Sequence, residues 1–195
     1  MRTRARALAS ALLATLLARV PAAAADNVTH YVLDPAKSTL EFSFSQAGAQ
    51  NKGRFTHFTT ALDLAASDPA ASHLEVTVEM SSVDTGDQER DDTLRDADLF
   101  AVRKFAQARF VAAQIVKTAT GYEAVGKLTI RDMTRDLRLP FVLRTATEQG
   151  VSAAYMTGKT SLRRLDYGVG QGDWKATDQV GNEVGVSFSL RLTAR

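Results

Sequence analysis

Five stretches of this chain alternate apolar and polar residues with a period of two. Leu40, Phe42 and Phe44 alternate with Glu41, Ser43 and Ser45. Leu74, Val76, Val78 and Met80 alternate with Glu75, Thr77 and Glu79. Ala124, Gly126, Leu128 and Ile130 do the same, as do Leu137, Leu139, Phe141 and Leu143, and Val184, Val186, Phe188, Leu190 and Leu192. A β-strand sends successive side chains to opposite faces, so this period predicts strands with one buried face. Further strands fit 52–64, 109–116 and 151–164. Turn signals at Gly48, Ser67-Asp68-Pro69, Thr120-Gly121, Gly150 and 168–172 divide the runs.

The expected fold is therefore all-β, with about eight strands and mostly short connections. A single antiparallel sheet of that size leaves unpaired backbone at both edges unless it closes. Closure gives an antiparallel barrel whose interior side chains fill or which holds one small ligand. A two-sheet sandwich is the alternative. No fixed-period repeat or linker-like stretch divides the chain.

The first 25 residues are read separately. Arg2, Arg4 and Arg6 precede an apolar run from Ala7 to Leu17, and Ala23-Ala24-Ala25 precede Asp26. That is the pattern of a secretory signal peptide cleaved near Ala25. The run is shorter than the roughly 20 residues a membrane span requires. Cleavage removes four arginines and no acid, so the formal charge falls from +2 to −2. A mature domain of residues 26–195 thus has no net positive charge to draw it to nucleic acid. The chain has no cysteine, which excludes thiol redox chemistry, a cysteine metal site and a lipid-modified cysteine anchor. The expectation is an exported, periplasmic protein without stable membrane insertion.

The segment from Asp87 to Phe100 breaks the alternation. Arg90, Leu94, Ala97 and Ala101 fall at helical spacing, and Asp91 stands four residues before Arg95. A short helix with a solvated charged face, an Asp91–Arg95 ion pair and Leu94, Leu99 and Phe100 turned inward is expected. A calcium loop needs a ligand order that this segment lacks. His30, His57 and His73 form no i, i+4 metal pair, and no nucleophile elbow or phosphate-binding glycine loop occurs. No cofactor and no catalytic group are assigned.

Several motifs occur in order along the chain. YVLDPAKSTLEFSFSQAG is followed by KGRFTHFTTALDL, ERDDTLRDADLFAVRKFAQARF, GKLTIRDMTRDLRLPF, SLRRLDYGVG and VGNEVGVSFSLRL. Together they resemble the YceI-like family over nearly all of Tyr31 to Leu192. Departures include Asp132 in place of the usual hairpin glycine and Tyr167 in place of phenylalanine. Thr93, Leu99 and Ala106 stand where histidine, phenylalanine and proline are common.

The resemblance implies an extended lipocalin-like antiparallel β-barrel with a short helical insertion beside it. It also implies a long apolar cavity for a polyisoprenoid, a quinone-like molecule or a fatty amide, and a possible homodimer. Candidate residues for lining such a cavity are Phe42, Phe44, Phe55, Phe58 and Leu94, with Phe100, Phe110, Phe141, Met156 and Trp174, although for any single one ordinary core packing is the favoured reading. Arg164 and Asp166 are read either as a turn anchor or as a head-group contact, with Arg54 and Arg90 as weaker head-group candidates. Burying about ten to fifteen methylenes gives roughly 8–12 kcal/mol before ordering costs, enough for micromolar binding without catalysis. A solid barrel acting as a protein-interaction module and a hydrolase at the barrel mouth remain as the alternative functions.

Overall fold

The computed structural model describes residues 28–195; the expected signal peptide lies outside them. The strands are β1 (Val28–Leu33), β2 (Thr39–Gln46), β3 (Ala49–Phe55), β4 (Phe58–Ala65), β5 (His73–Glu79), β6 (Val83–Asp84), β7 (Gln107–Thr118), β8 (Gly121–Ile130), β9 (Met133–Glu148), β10 (Val151–Arg163) and β11 (Val180–Ala194). One helix, α1 (Gln88–Arg95), follows β6. All strands join one antiparallel sheet, and pairing of β1 with β11 closes it. The result is an eight-strand closed antiparallel barrel with one short helix.

Eleven segments make eight walls because three of the strands are bent. β1 and β2 run up the wall with a one-turn 3-10 segment, Pro35–Lys37, between them. β3 and β4 run back down, broken at Thr56 and His57, and β5 and β6 rise again, broken at Met80–Ser82. The lower halves pair as β1–β4–β5 and the upper halves as β2–β3–β6. The single strand expected over 52–64 is thus one bent wall in two pieces. Its break is held by side-chain bonds: the Ser82 hydroxyl accepts from the His57 N–H, and the Thr56 hydroxyl donates to the Ser82 carbonyl. Such bonds replace the ladder where the strand turns.

The lower end is packed solid. Leu62, Leu74, Ala112, Ala124 and Leu192 have no exposed surface there and belong to the main apolar cluster. Gly126 lies in this region opposite a bulge in β7; a Cβ on it would stand 2.2 Å from the Val111 carbonyl oxygen. The strands meet so closely that only glycine fits. Two-residue turns join β2 to β3 and β9 to β10, with Ala47-Gly48 and Gln149-Gly150 at positive φ. Such turns match the right-handed twist of the strands they connect.

The upper end is covered by α1, the segment 96–106 and the segment 164–179. Asp87 caps the helix, accepting from the Arg90 N–H at 3.1 Å. The expected Asp91–Arg95 pair does not form. Asp91 is buried and accepts from both the N–H and the hydroxyl of Thr85, at 2.8 and 2.7 Å. Arg95 pairs instead with Asp92, three residues before it, and donates to the carbonyls of Ser81 and Val83. Position 91 faces the barrel and position 92 the solvent; sequence spacing alone does not distinguish them.

Candidate functional site

Between the solid base and the covered end the barrel holds a cavity of about 590 Å³. The inward positions of the alternating strands form its wall: Leu40, Phe42 and Phe44 from β2, Val76 and Val78 from β5, and Val184, Val186 and Phe188 from β11 among them. Gly53 and Gly158 leave room for two of these rings. A Cβ at Gly53 would stand 2.4 Å from the Phe42 ring, and one at Gly158 the same distance from the Phe188 ring.

Most of the residues singled out in the sequence meet on this wall. Phe44, Phe42, Phe55 and Phe100, in that order, form a chain of rings with successive centroids 6.0, 5.3 and 6.0 Å apart. These spacings suit tilted and offset aromatic contact. Phe58 and Phe110 line the cavity farther down, with Met156. Leu94 lies over its upper end, with Trp174 on the segment after β10. The charged stretch that ends in Leu99 and Phe100 therefore presents its charges to water, Asp91 excepted, and its apolar residues to the barrel.

Two candidates lie elsewhere. Phe141 sits in the packed lower cluster, stacked on Tyr122 with ring centroids 5.7 Å apart. It points inward as its alternation predicts, but at a level the core fills. Asp166 is exposed and off the cavity wall, and it makes no ion pair with Arg164.

Arg164 reaches the wall but has no donor to spare. Its guanidinium donates to the carbonyls of Gly181, Val169, Trp174, Ala176 and Val180, at 2.7 to 3.1 Å. An arginine has five N–H groups, so all are used. The residue is 6% exposed, and burial lowers its pKa from the ordinary arginine value. Arg164 thereby ties the segment after β10 to the start of β11, as a turn anchor does. Gly170, at φ +120°, makes room for it, since a Cβ there would stand 2.0 Å from Arg164 Nη1.

The mouth is polar. Asp87, Glu89, Arg90 and Thr93 of the helix region and Gln46 at the end of β2 ring the upper cavity. Arg90 keeps its charge near Asp87 at 3.6 Å. Arg54 is turned outward onto Asp84, at 2.7 Å, and is largely exposed. Hydrogen bonds from Arg54 and the Gly86 N–H hold the Asp84 carboxyl below the usual carboxylate range. Among the described residues no cluster of three or more His, Asp or Glu has metal-binding geometry.

Much of the wall is aliphatic rather than aromatic. Leu137, Leu139, Leu162 and Leu190 line it, and their alternation phase was the available signal. Tyr167 lines it as well; burial raises its phenol pKa. Thr60, also on the wall, carries no sequence signal, because a strand threonine is ordinary.

Fold and site together define a closed antiparallel barrel with an internal apolar cavity beneath a polar mouth. The chain matches the YceI-like domain model over residues 31–192 and belongs to that family. A UPF0312 protein of Shewanella baltica (strain OS185) is 34% identical over 169 residues, covering 83% of this chain and 86% of its own. Among solved structures, Burkholderia cenocepacia BcnA is similar with a TM-score of 0.75 at 27% identity, over 82% of this chain and 98% of its own. A polyisoprenoid-binding domain from Saccharophagus degradans shares the fold with a TM-score of 0.65 at 18% identity, over 85% of this chain and 98% of that one.

Proposed function

We propose that this protein is a periplasmic carrier that holds an isoprenoid or another long-chain apolar lipid inside its barrel. The observation that carries the reading is the cavity itself: about 590 Å³ walled by apolar side chains and closed at the base. Sites for small ligands have volumes of roughly this size and a few polar groups at one end. The description of the Saccharophagus degradans domain as polyisoprenoid-binding supports the same chemistry. The wall residues Phe42, Phe44, Phe55, Phe58, Leu94, Phe100, Phe110, Met156 and Trp174 are proposed to contact the chain. A polar end of the ligand that projects from the mouth meets Arg90 and Gln46 rather than Arg164.

The site works by burial and needs no reacting group. A hydrolase built on Asp91 and Asp166 is disfavoured, because Asp91 is committed to Thr85 and Asp166 lies off the wall. The solid-barrel alternative predicts a filled interior, which this barrel does not have. Export follows from the reading of residues 1–25 as a signal peptide, and an intact mass beginning at Asp26 tests it. No helix among the described residues is long and apolar enough to cross a membrane. The outer face carries the pairs Lys127–Asp136, Arg138–Glu123 and Arg109–Glu75, whereas a membrane barrel shows an apolar band there.

Native mass spectrometry of the purified full-length product, followed by mass spectrometry of its organic extract, is the deciding experiment. One apolar molecule per chain in fixed ratio is the expected result. An empty extract, together with no uptake of added polyprenol by the lipid-depleted protein, overturns the reading.

A further inference from the structure

Thr60 stands on the cavity wall, on the inward face of β4 between Phe58 and Leu62. It is 3% exposed, and its Oγ1 is buried with no hydrogen-bond partner. Its register neighbours are apolar: Val76 lies opposite on β5, and Phe110 lies opposite Val76 on β7. Nothing in the fold requires the hydroxyl. Valine has nearly the same shape and an equal or better strand preference, and it would remove the cost of an unpaired buried polar group. Buried polar groups left without a partner in a native structure call for an explanation.

A bound water is a poor partner here, because a buried water needs two to four polar contacts and this row offers one hydroxyl. A ligand atom suffers no such limit, since it is held in place by the rest of the ligand. Rotation about χ1 exchanges the hydroxyl and methyl of threonine at almost constant shape, and threonine uses more than one such rotamer. As placed, the hydroxyl oxygen is closed off; a turn about χ1, which leaves the shape of the wall nearly unchanged, is what presents it to a ligand.

We infer that Thr60 is a specificity residue. It selects a lipid that carries a hydroxyl, carbonyl or amide group within the barrel over one that is hydrocarbon throughout the enclosed length. This rests on the lipid-binding reading above and deepens it. The ligand class becomes an oxygenated or amide-bearing long chain with one polar group placed low in the cavity, close to the solid base formed by Leu62 and Leu74.

Farnesol and farnesene test it, being isoprenoids of one length that differ by the hydroxyl. Trp174 is the single tryptophan of the chain and lines the cavity, so its emission reports binding to the lipid-depleted protein. The native protein should bind farnesol more tightly than farnesene. Thr60→Val should weaken farnesol binding about five- to tenfold and leave farnesene unchanged, while Thr60→Ser keeps the preference. The lipid-free Thr60→Val protein should melt at the same temperature as the native one, or higher. An unchanged farnesol-to-farnesene ratio in Thr60→Val, or a native protein that binds both equally, overturns the inference and leaves the carrier reading standing. A lower melting temperature for lipid-free Thr60→Val makes the hydroxyl structural and also overturns it. Binding of neither probe by the native protein removes the carrier reading and this inference together.

Discussion

Arg164 shows how a charged residue is made a structural element of an apolar barrel. Its five donors meet five backbone carbonyls, and together they hold a long connection that has little regular structure of its own. Arg164→Met keeps the length of the side chain but strands those carbonyls. It should cost about 3 kcal/mol or more, measured by urea unfolding, and should perturb Trp174 emission even without lipid. Gly170→Ala should do the same through a different atom, since its Cβ collides with Nη1 from a backbone position that favours glycine. If Arg164 instead served a head group, Arg164→Met would reduce lipid affinity with little loss of stability. Thr60 is the converse case, a polar group that the fold itself leaves unused.

At the scale of elements, the cover of the barrel is tied down by a few bonds. Arg131 adopts a positive φ in the β8–β9 turn, at 56°. Its guanidinium donates to the carbonyls of Ala97 and Leu99, fastening the segment that follows α1. Arg131→Ala should lower stability by about 1–2 kcal/mol and accelerate amide exchange at 97–101 while leaving the barrel strands protected. Uniform acceleration across β7 to β11 would contradict this. The elements were legible in the sequence wherever one face is buried: β2, β5, β8, β9 and β11 all keep their alternation phase. They were least legible at the bends. Nothing local in 52–64 marks Thr56 and His57 as the break, because the bonds that make it come from Ser82, 25 residues or more away. Likewise Asp91 and Asp92 differ only in which faces the barrel.

For the whole molecule, closure depends on β11. Its last residues pair with β1 and its earlier ones with β2, and Arg191 bonds both Asp34 and Glu148, each at 2.6 Å. Hydrogen bonds from Arg191 and from the Tyr155 hydroxyl hold the Glu148 carboxyl below the usual carboxylate range. A lowered folded pKa means that the contribution is complete above the unfolded value of about 4.3 and is lost as pH falls through the folded one. Glu148→Gln should therefore be less stable than the native protein at pH 7, and the gap should close as the pH is lowered into the acid limb. A gap that widens on acidification would show the sign to be wrong. Hollowness is the other property of the whole. Val186→Trp, placing an indole in the cavity from β11, should abolish lipid uptake without lowering the melting temperature, because it fills space rather than opening it. Full uptake by that variant would place the lipid elsewhere.

The sequence by itself determined the strands, their inward faces, the turns between them and the apolar character of whatever they enclose. All of these follow from the pleat, whose period of two is a property of neighbouring residues. The tertiary structure decided how far the interior is filled. Phe110 and Phe141 obey the same alternation, yet one lines the cavity and the other lies in the solid base. It also decided that Arg164 is saturated and that Thr60 is not. Those outcomes depend on register and on the volume of side chains brought together from distant strands, and neither is a property of any one stretch of chain.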